Sequence, residues 1–109
     1  MKPDAPSPAA LTREGILDRL RDSYPHLSEQ FGVQRIGLFG SFASRTAVET
    51  SDVDLVVSFQ RPIGLRFVDL IEHLEALLGR KVDVLTPAGL QGIRLPEVAR
   101  RIEESIISV

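Results

Sequence analysis

Residues 38–57 read LFGSFASRTAVETSDVDLVV, and the fold turns on how this stretch divides. Val33 to Phe39 (VQRIGLF) has the apolar, β-branched and aromatic content of a buried strand. Gly40-Ser41 follows at once, and a short helical turn can begin there. A strand that ends in glycine lets the backbone approach a ligand closely. A serine opening a helical turn offers a hydroxyl and free backbone N–H groups to a phosphate. Leu55 to Phe59 (LVVSF) is a second strand, entered through Ser51-Asp52-Val53-Asp54. Asp52 and Asp54 are two apart at its start, so their side chains are expected on one face.

Upstream, Thr12 can cap a helix, Glu14 suits its positive end, and Ile16, Leu17 and Leu20 form an apolar stripe. Tyr24-Pro25 is expected to end it, because the residue before proline avoids the helical region. Downstream, Gly64 to Gly79 carries Phe67, Ile71, Leu74 and Leu78 at helical spacing, with Arg66, Asp69, His73 and Ala76 on the other face. Lys81 to Leu85 (KVDVL) is a third strand, closed by Thr86-Pro87. Pro96 suits the first turn of a last helix with Val98, Ile102 and Ile106 as its stripe. The order α-β-α-β-α-β-α predicts an α/β (α+β) fold with a small mixed sheet flanked by helices. Residues 1–10 (MKPDAPSPAA) read as a flexible tail, and residues 11–109 as one domain.

The 109 residues carry a formal net charge of −2, with 43% hydrophobic and 26% charged residues, the balance of an ordinary globular domain. The acidic total argues against a long nucleic-acid track, which needs a basic face to neutralise phosphates. A small nucleotide carried with its own metal, or a protein partner, suits it better. The absence of cysteine removes disulfides and thiolate metal sites. No apolar run approaches the roughly 20 residues that span a bilayer, and the N-terminus lacks the apolar core of a secretory signal. These features predict a cytoplasmic protein without a membrane partner.

A third acid, Asp83, stands between Val82 and Val84, where a desolvated carboxylate is costly without compensation. Two carboxylates about 6 Å apart repel by roughly 3 kcal/mol at an effective dielectric near 20. If Asp52, Asp54 and Asp83 converge, a divalent cation removes the conflict. Mg²⁺ prefers oxygen ligands and binds through a few carboxylates plus substrate phosphates, and a pair of ions can stabilise an in-line phosphoryl displacement.

The spacing joins these pieces. Gly40-Ser41, ten residues, then Asp52-Val53-Asp54 resembles the Gly-Ser-x10-Asp-x-Asp signature of the DNA polymerase β-like nucleotidyltransferase superfamily. The wider segment is similar to the minimal nucleotidyltransferases, and KVDVLTPAGL resembles their third acidic strand. The likeness runs from about Thr12 to Ile107. It implies that Asp52 and Asp54 hold metal ions, two Mg²⁺ in the usual arrangement. Asp83 would complete the set and help deprotonate an acceptor hydroxyl. Gly40 and Ser41 would hold the phosphates of ATP, with Arg45 also reaching a phosphate. The resemblance departs at one place: the family commonly has Arg directly after Phe-Ala, whereas here Ser44 stands there and Arg45 follows.

Relatives of this size often accompany a HEPN-domain ribonuclease toxin. The resemblance thus implies an antitoxin that transfers AMP to a tyrosine hydroxyl of that partner. Two other readings fit the same residues: an antitoxin that neutralises by binding alone, and an enzyme acting on a small hydroxyl compound such as an aminoglycoside, with a second chain completing the pocket. The remaining polar residues receive plainer assignments. His26 and His73 are structural or exposed, with no partner at zinc-ligand spacing. Glu72, Glu75 and Arg80 form a solvated helix surface, and Val98, Ile102, Ile106 and Ile107 leave some apolar surface for a partner.

Overall fold

A computed structural model describes residues 11–92 and 95–109. The expected flexible tail at residues 1–10 lies outside the described residues. The elements are α1 (Arg13–Phe31), β1 (Val33–Phe39), α2 (Gly40–Ala43), β2 (Val53–Phe59), α3 (Arg66–Leu78), β3 (Val82–Leu85), α4 (Pro87–Gln91), α5 (Pro96–Ser105) and β4 (Ile107–Ser108).

Thr12 caps α1 as expected, its hydroxyl accepting the Gly15 N–H at 3.1 Å. The helix does not stop at Tyr24-Pro25, however. It runs through Pro25 to Phe31 and closes on Gly32, whose N–H donates to Ser28 O at 3.0 Å. A proline inside a helix costs about 3 kcal/mol. The turns beyond it bury Leu27 (0% exposed) and Phe31 (7%), at about 1.5–3 kcal/mol each. The Tyr24 hydroxyl also donates to Gln34 O at 2.6 Å. Tertiary burial therefore outweighs the local break.

The sheet has the order β3-β2-β1-β4. β1 pairs antiparallel with β2 and β4, and β2 pairs parallel with β3. It is a mixed sheet with α1 and α3 packed on it, the class expected. The element order gains two members: the α4 turn after Thr86 and the strand β4. Ile106, the last residue of the expected helical stripe, leaves the helical region at ψ 128°, and Ile107 pairs with Leu38. β2 starts at Val53, two residues earlier than expected. β3 starts at Val82.

The core gathers Ile16, Leu20 and Leu27 of α1, Val33, Ile36 and Leu38 of β1, alternate residues of β2, and Leu70, Leu74 and Leu78 of α3. The α3 stripe is rotated from the expected one. Leu70 takes the centre, while Phe67 and Ile71 are half-buried, with Phe67 edge-on to Phe59 at 6.4 Å. Leu74→Ala, at a fully buried side chain, is expected to lower the unfolding free energy by about 2–5 kcal/mol in urea titrations. Leu65→Ala, at a side chain 95% exposed, should change it by less than about 0.5 kcal/mol.

Candidate active site

β1 delivers the chain to one end of the sheet, where Phe39 pairs with Asp54 across the β1–β2 ladder. Asp54 in turn pairs with Asp83 across the β2–β3 ladder. The parallel register therefore aligns two of the three predicted acids on neighbouring strands. Val53 and Leu55, on either side of Asp54, are wholly buried. Strand alternation thus sends Asp54 to the face opposite the core, where it is half-buried.

Gly40 turns the chain beside this carboxylate. Its φ is +76°, and a Cβ placed on it would run into Asp54 Oδ2. Only glycine fits both the backbone and the space. The one-turn helix α2 then leaves the first-turn N–H groups without intrahelical acceptors, next to the acids.

Burial pushes the Asp54 carboxyl above its ordinary range, and the charges of Asp83 and Asp52 push it further. Asp83 and Asp52 are thus each within electrostatic reach of Asp54. The sign for folding follows from linkage. A carboxyl whose folded pKa exceeds its unfolded value near 3.8 destabilises the fold as pH rises through that interval, with the full cost present above it. Asp54→Asn is therefore expected to raise the urea midpoint at pH 7. The gain should disappear below about pH 3.8 in the same titration.

Asp83 is exposed, which corrects the expectation of a desolvated acid inside an apolar strand. β3 lies at the edge of the sheet, so one side of it stays open to water. Asp52 precedes β2 and is half-buried. Among the described residues, no three His, Cys, Asp or Glu side chains stand together as a ready-made metal cage. The donor chemistry nevertheless fits a hard divalent cation. Asp83 and Asp52 each place an unfavourable charge near Asp54, and oxygen donors of this kind suit a hard divalent cation.

Arg45 is the predicted residue that the fold sends elsewhere. It adopts φ 64°, and its guanidinium forms a two-pronged ion pair with Glu14 of α1. The carboxyl of Glu14 is held below its ordinary range, chiefly by its own backbone hydrogen bond and then by Arg45. Ser44, in the place where arginine is common, donates to Ser41 O at 3.3 Å and shares a 2.8 Å hydrogen bond with the Thr46 hydroxyl. The loop thus closes on itself through small hydroxyls.

Two arginines hold the site: Arg13, which the sequence did not mark, and Arg80, expected on a solvated helix surface. Arg13 donates to Ala43 O at 2.9 Å, tying the end of α2 to α1. Arg80 donates to the carbonyl oxygens of Ser51, at 3.0 Å, and Glu49, and its guanidinium stands 5.6 Å from the Phe42 ring centre. Arg80 thereby links the approach to Asp52 with α2. Glu75 accepts the Val82 N–H at 3.1 Å, fastening β3. Glu75 and Arg80, expected as solvated helix charges, thus have structural partners. No spacing in the sequence distinguishes a surface arginine from one that reaches a distant carbonyl.

A mixed four-stranded sheet whose Gly-Ser turn abuts aligned acids on β2 and β3 is the framework of a nucleotidyltransferase. Comparison with known proteins agrees. The nucleotidyltransferase domain family matches residues 17–109. The protein adenylyltransferase MntA of Thermococcus cleftensis is 42% identical over 95 residues, which cover 86% of this chain and 96% of that protein. A solved chain provisionally classed as a minimal nucleotidyltransferase superposes with a TM-score of 0.70 at 29% identity, covering 93% of this chain and 99% of that one. A toxin–antitoxin complex crystallised with AMP-PNP shares the fold, with a TM-score of 0.58 at 23% identity over 90% of this chain and 72% of that one. The chain belongs to the nucleotidyltransferase domain family, among its minimal members, and is a nucleotidyltransferase.

Proposed function

We propose that this nucleotidyltransferase moves AMP from ATP to a tyrosine hydroxyl of a HEPN-domain toxin, and so acts as the toxin's antitoxin in the cytoplasm. The observation that carries this reading is the register of Asp54 against Asp83 with Gly40 packed on Asp54. It joins a phosphate-sized turn to a cation-seeking cluster. The names of the relatives support it too: one is a protein adenylyltransferase, and another protein of this fold was crystallised with an ATP analogue in a toxin–antitoxin complex.

In this proposal Gly40 and Ser41 hold the β- and γ-phosphates through backbone N–H groups and the serine hydroxyl. Asp52 and Asp54 would hold Mg²⁺, with Asp83 completing the donor set. Bound Mg²⁺ would offset the carboxylate and phosphate charge. Asp83, the most solvent-facing of the three, takes the proton of the acceptor hydroxyl. The tyrosine oxygen bonds to the α-phosphorus, the bond from that phosphorus to the bridging oxygen breaks, and pyrophosphate leaves. Arg13 and Arg80 fix the two backbone segments that carry the phosphate turn and Asp52, which is the positioning such displacement depends on.

The pairing of Arg45 with Glu14 favours a second reading, binding without transfer, since it withholds a cation from the phosphates. One experiment separates the two. The protein is mixed with α-labelled ATP, Mg²⁺ and a HEPN-domain protein encoded beside it, and label on that protein is measured. The transfer reading expects label that a Tyr→Phe change in the partner removes. A neutralised but unlabelled partner would overturn it.

A further inference from the structure

His26 lies on the stretch of α1 beyond Pro25, and His73 lies on α3, 47 positions later in the chain. In sequence neither has a ligand neighbour. The continuation of α1 through the proline brings them together, with ring centres 5.0 Å apart and planes inclined by 30°. The two imidazoles line one open cavity of about 440 Å³ with Ser23, Ala76 and Leu77. Phe31 backs His73 at 5.9 Å and is itself covered by the Arg66 guanidinium at 4.7 Å. The pair is supported from behind and open in front.

The separation has a chemical meaning. A zinc–imidazole bond of about 2.0–2.1 Å places each ring centre roughly 3.2 Å from the metal, so two imidazoles at a tetrahedral angle have centres about 5 Å apart.

We propose that His26 and His73 form a two-imidazole site for a borderline divalent transition metal of the Zn²⁺ class, bridging α1 and α3. Its residues belong to neither the phosphate turn nor the acidic strands. Among the described residues no third His, Cys, Asp or Glu joins the pair, so water fills the remaining positions and the ion exchanges readily. Imidazole donors select zinc, nickel or copper over magnesium, whereas carboxylates select magnesium. The chain thus sorts two kinds of cation between two sites.

The test uses the tag-free full chain, stripped with chelator and kept in excess Mg²⁺ to mask the acids. Calorimetric titration with ZnCl₂ is expected to show one saturable site per chain. The same addition should raise the melting temperature, because only the folded pair binds. His26→Gln and His73→Gln should each weaken binding tenfold or more and remove the melting shift, while Asp52→Asn with Asp54→Asn should leave both intact. In the parent protein, the ring-proton resonances of His26 and His73 should be the ones that Zn²⁺ perturbs, a readout that needs no substitution. Absence of saturable binding, unchanged binding in both histidine variants, or resonances that do not move would overturn the proposal.

Discussion

Gly40→Ala is expected to cut AMP transfer by about a hundredfold or more while the protein still folds. Two effects add at this position. A left-handed backbone at φ +76° costs a residue with a Cβ roughly 1–2 kcal/mol. The added methyl would also occupy the space of the Asp54 carboxylate, so either the acid rotates or the turn withdraws. Either movement separates the phosphate turn from the acidic strands. A misplacement of about 1 Å in a positioning enzyme costs on the order of a hundredfold in rate. Single-turnover rates with α-labelled ATP, measured beside a urea melt, separate the loss of activity from the loss of stability. A variant that folds and transfers at the parental rate would show that Gly40 and Asp54 do not work together.

Asp52→Asn combined with Asp54→Asn should be more severe for chemistry and milder for the fold. Removing two charged donors from a site that acts by electrostatics and positioning is expected to lower transfer by about a thousandfold or more. Stability should rise at neutral pH instead of falling, because burial and the charges of Asp83 and Asp52 disfavour the ionised Asp54 carboxyl. Activity and stability therefore move in opposite directions, a pattern that mere unfolding cannot imitate. Toxin neutralisation in the same variant then discriminates between the two proposed modes. Neutralisation lost with transfer supports catalysis, and neutralisation kept without transfer supports binding alone. Parental transfer by the double variant would remove the acidic pair from the mechanism.

The chain order by itself determined the class of fold and pointed to the candidate acids and the Gly-Ser turn. Apolar runs of strand length at Val33–Phe39 and Leu55–Phe59, helical periodicity near Leu74, and the fixed distance from Gly40-Ser41 to Asp52 and Asp54 are local patterns. Local patterns survive in sequence because each follows from the period of one element. The tertiary structure decided what depends on contacts between distant segments. It carried α1 through Pro25, because burial of Leu27 and Phe31 cannot be seen from the Tyr-Pro step. It ended the last helix at Ser105, before the expected stripe residue Ile106, and placed Ile107 in an edge strand beside Leu38. It left Asp83 in water, because β3 became an edge. It gave Arg80 and Glu75 structural duties and drew Arg45 to Glu14, because long side chains choose partners by position in space and not by spacing. The pairing of His26 with His73 belongs to the same group: proximity across 47 residues is a property of packing, which no single element encodes.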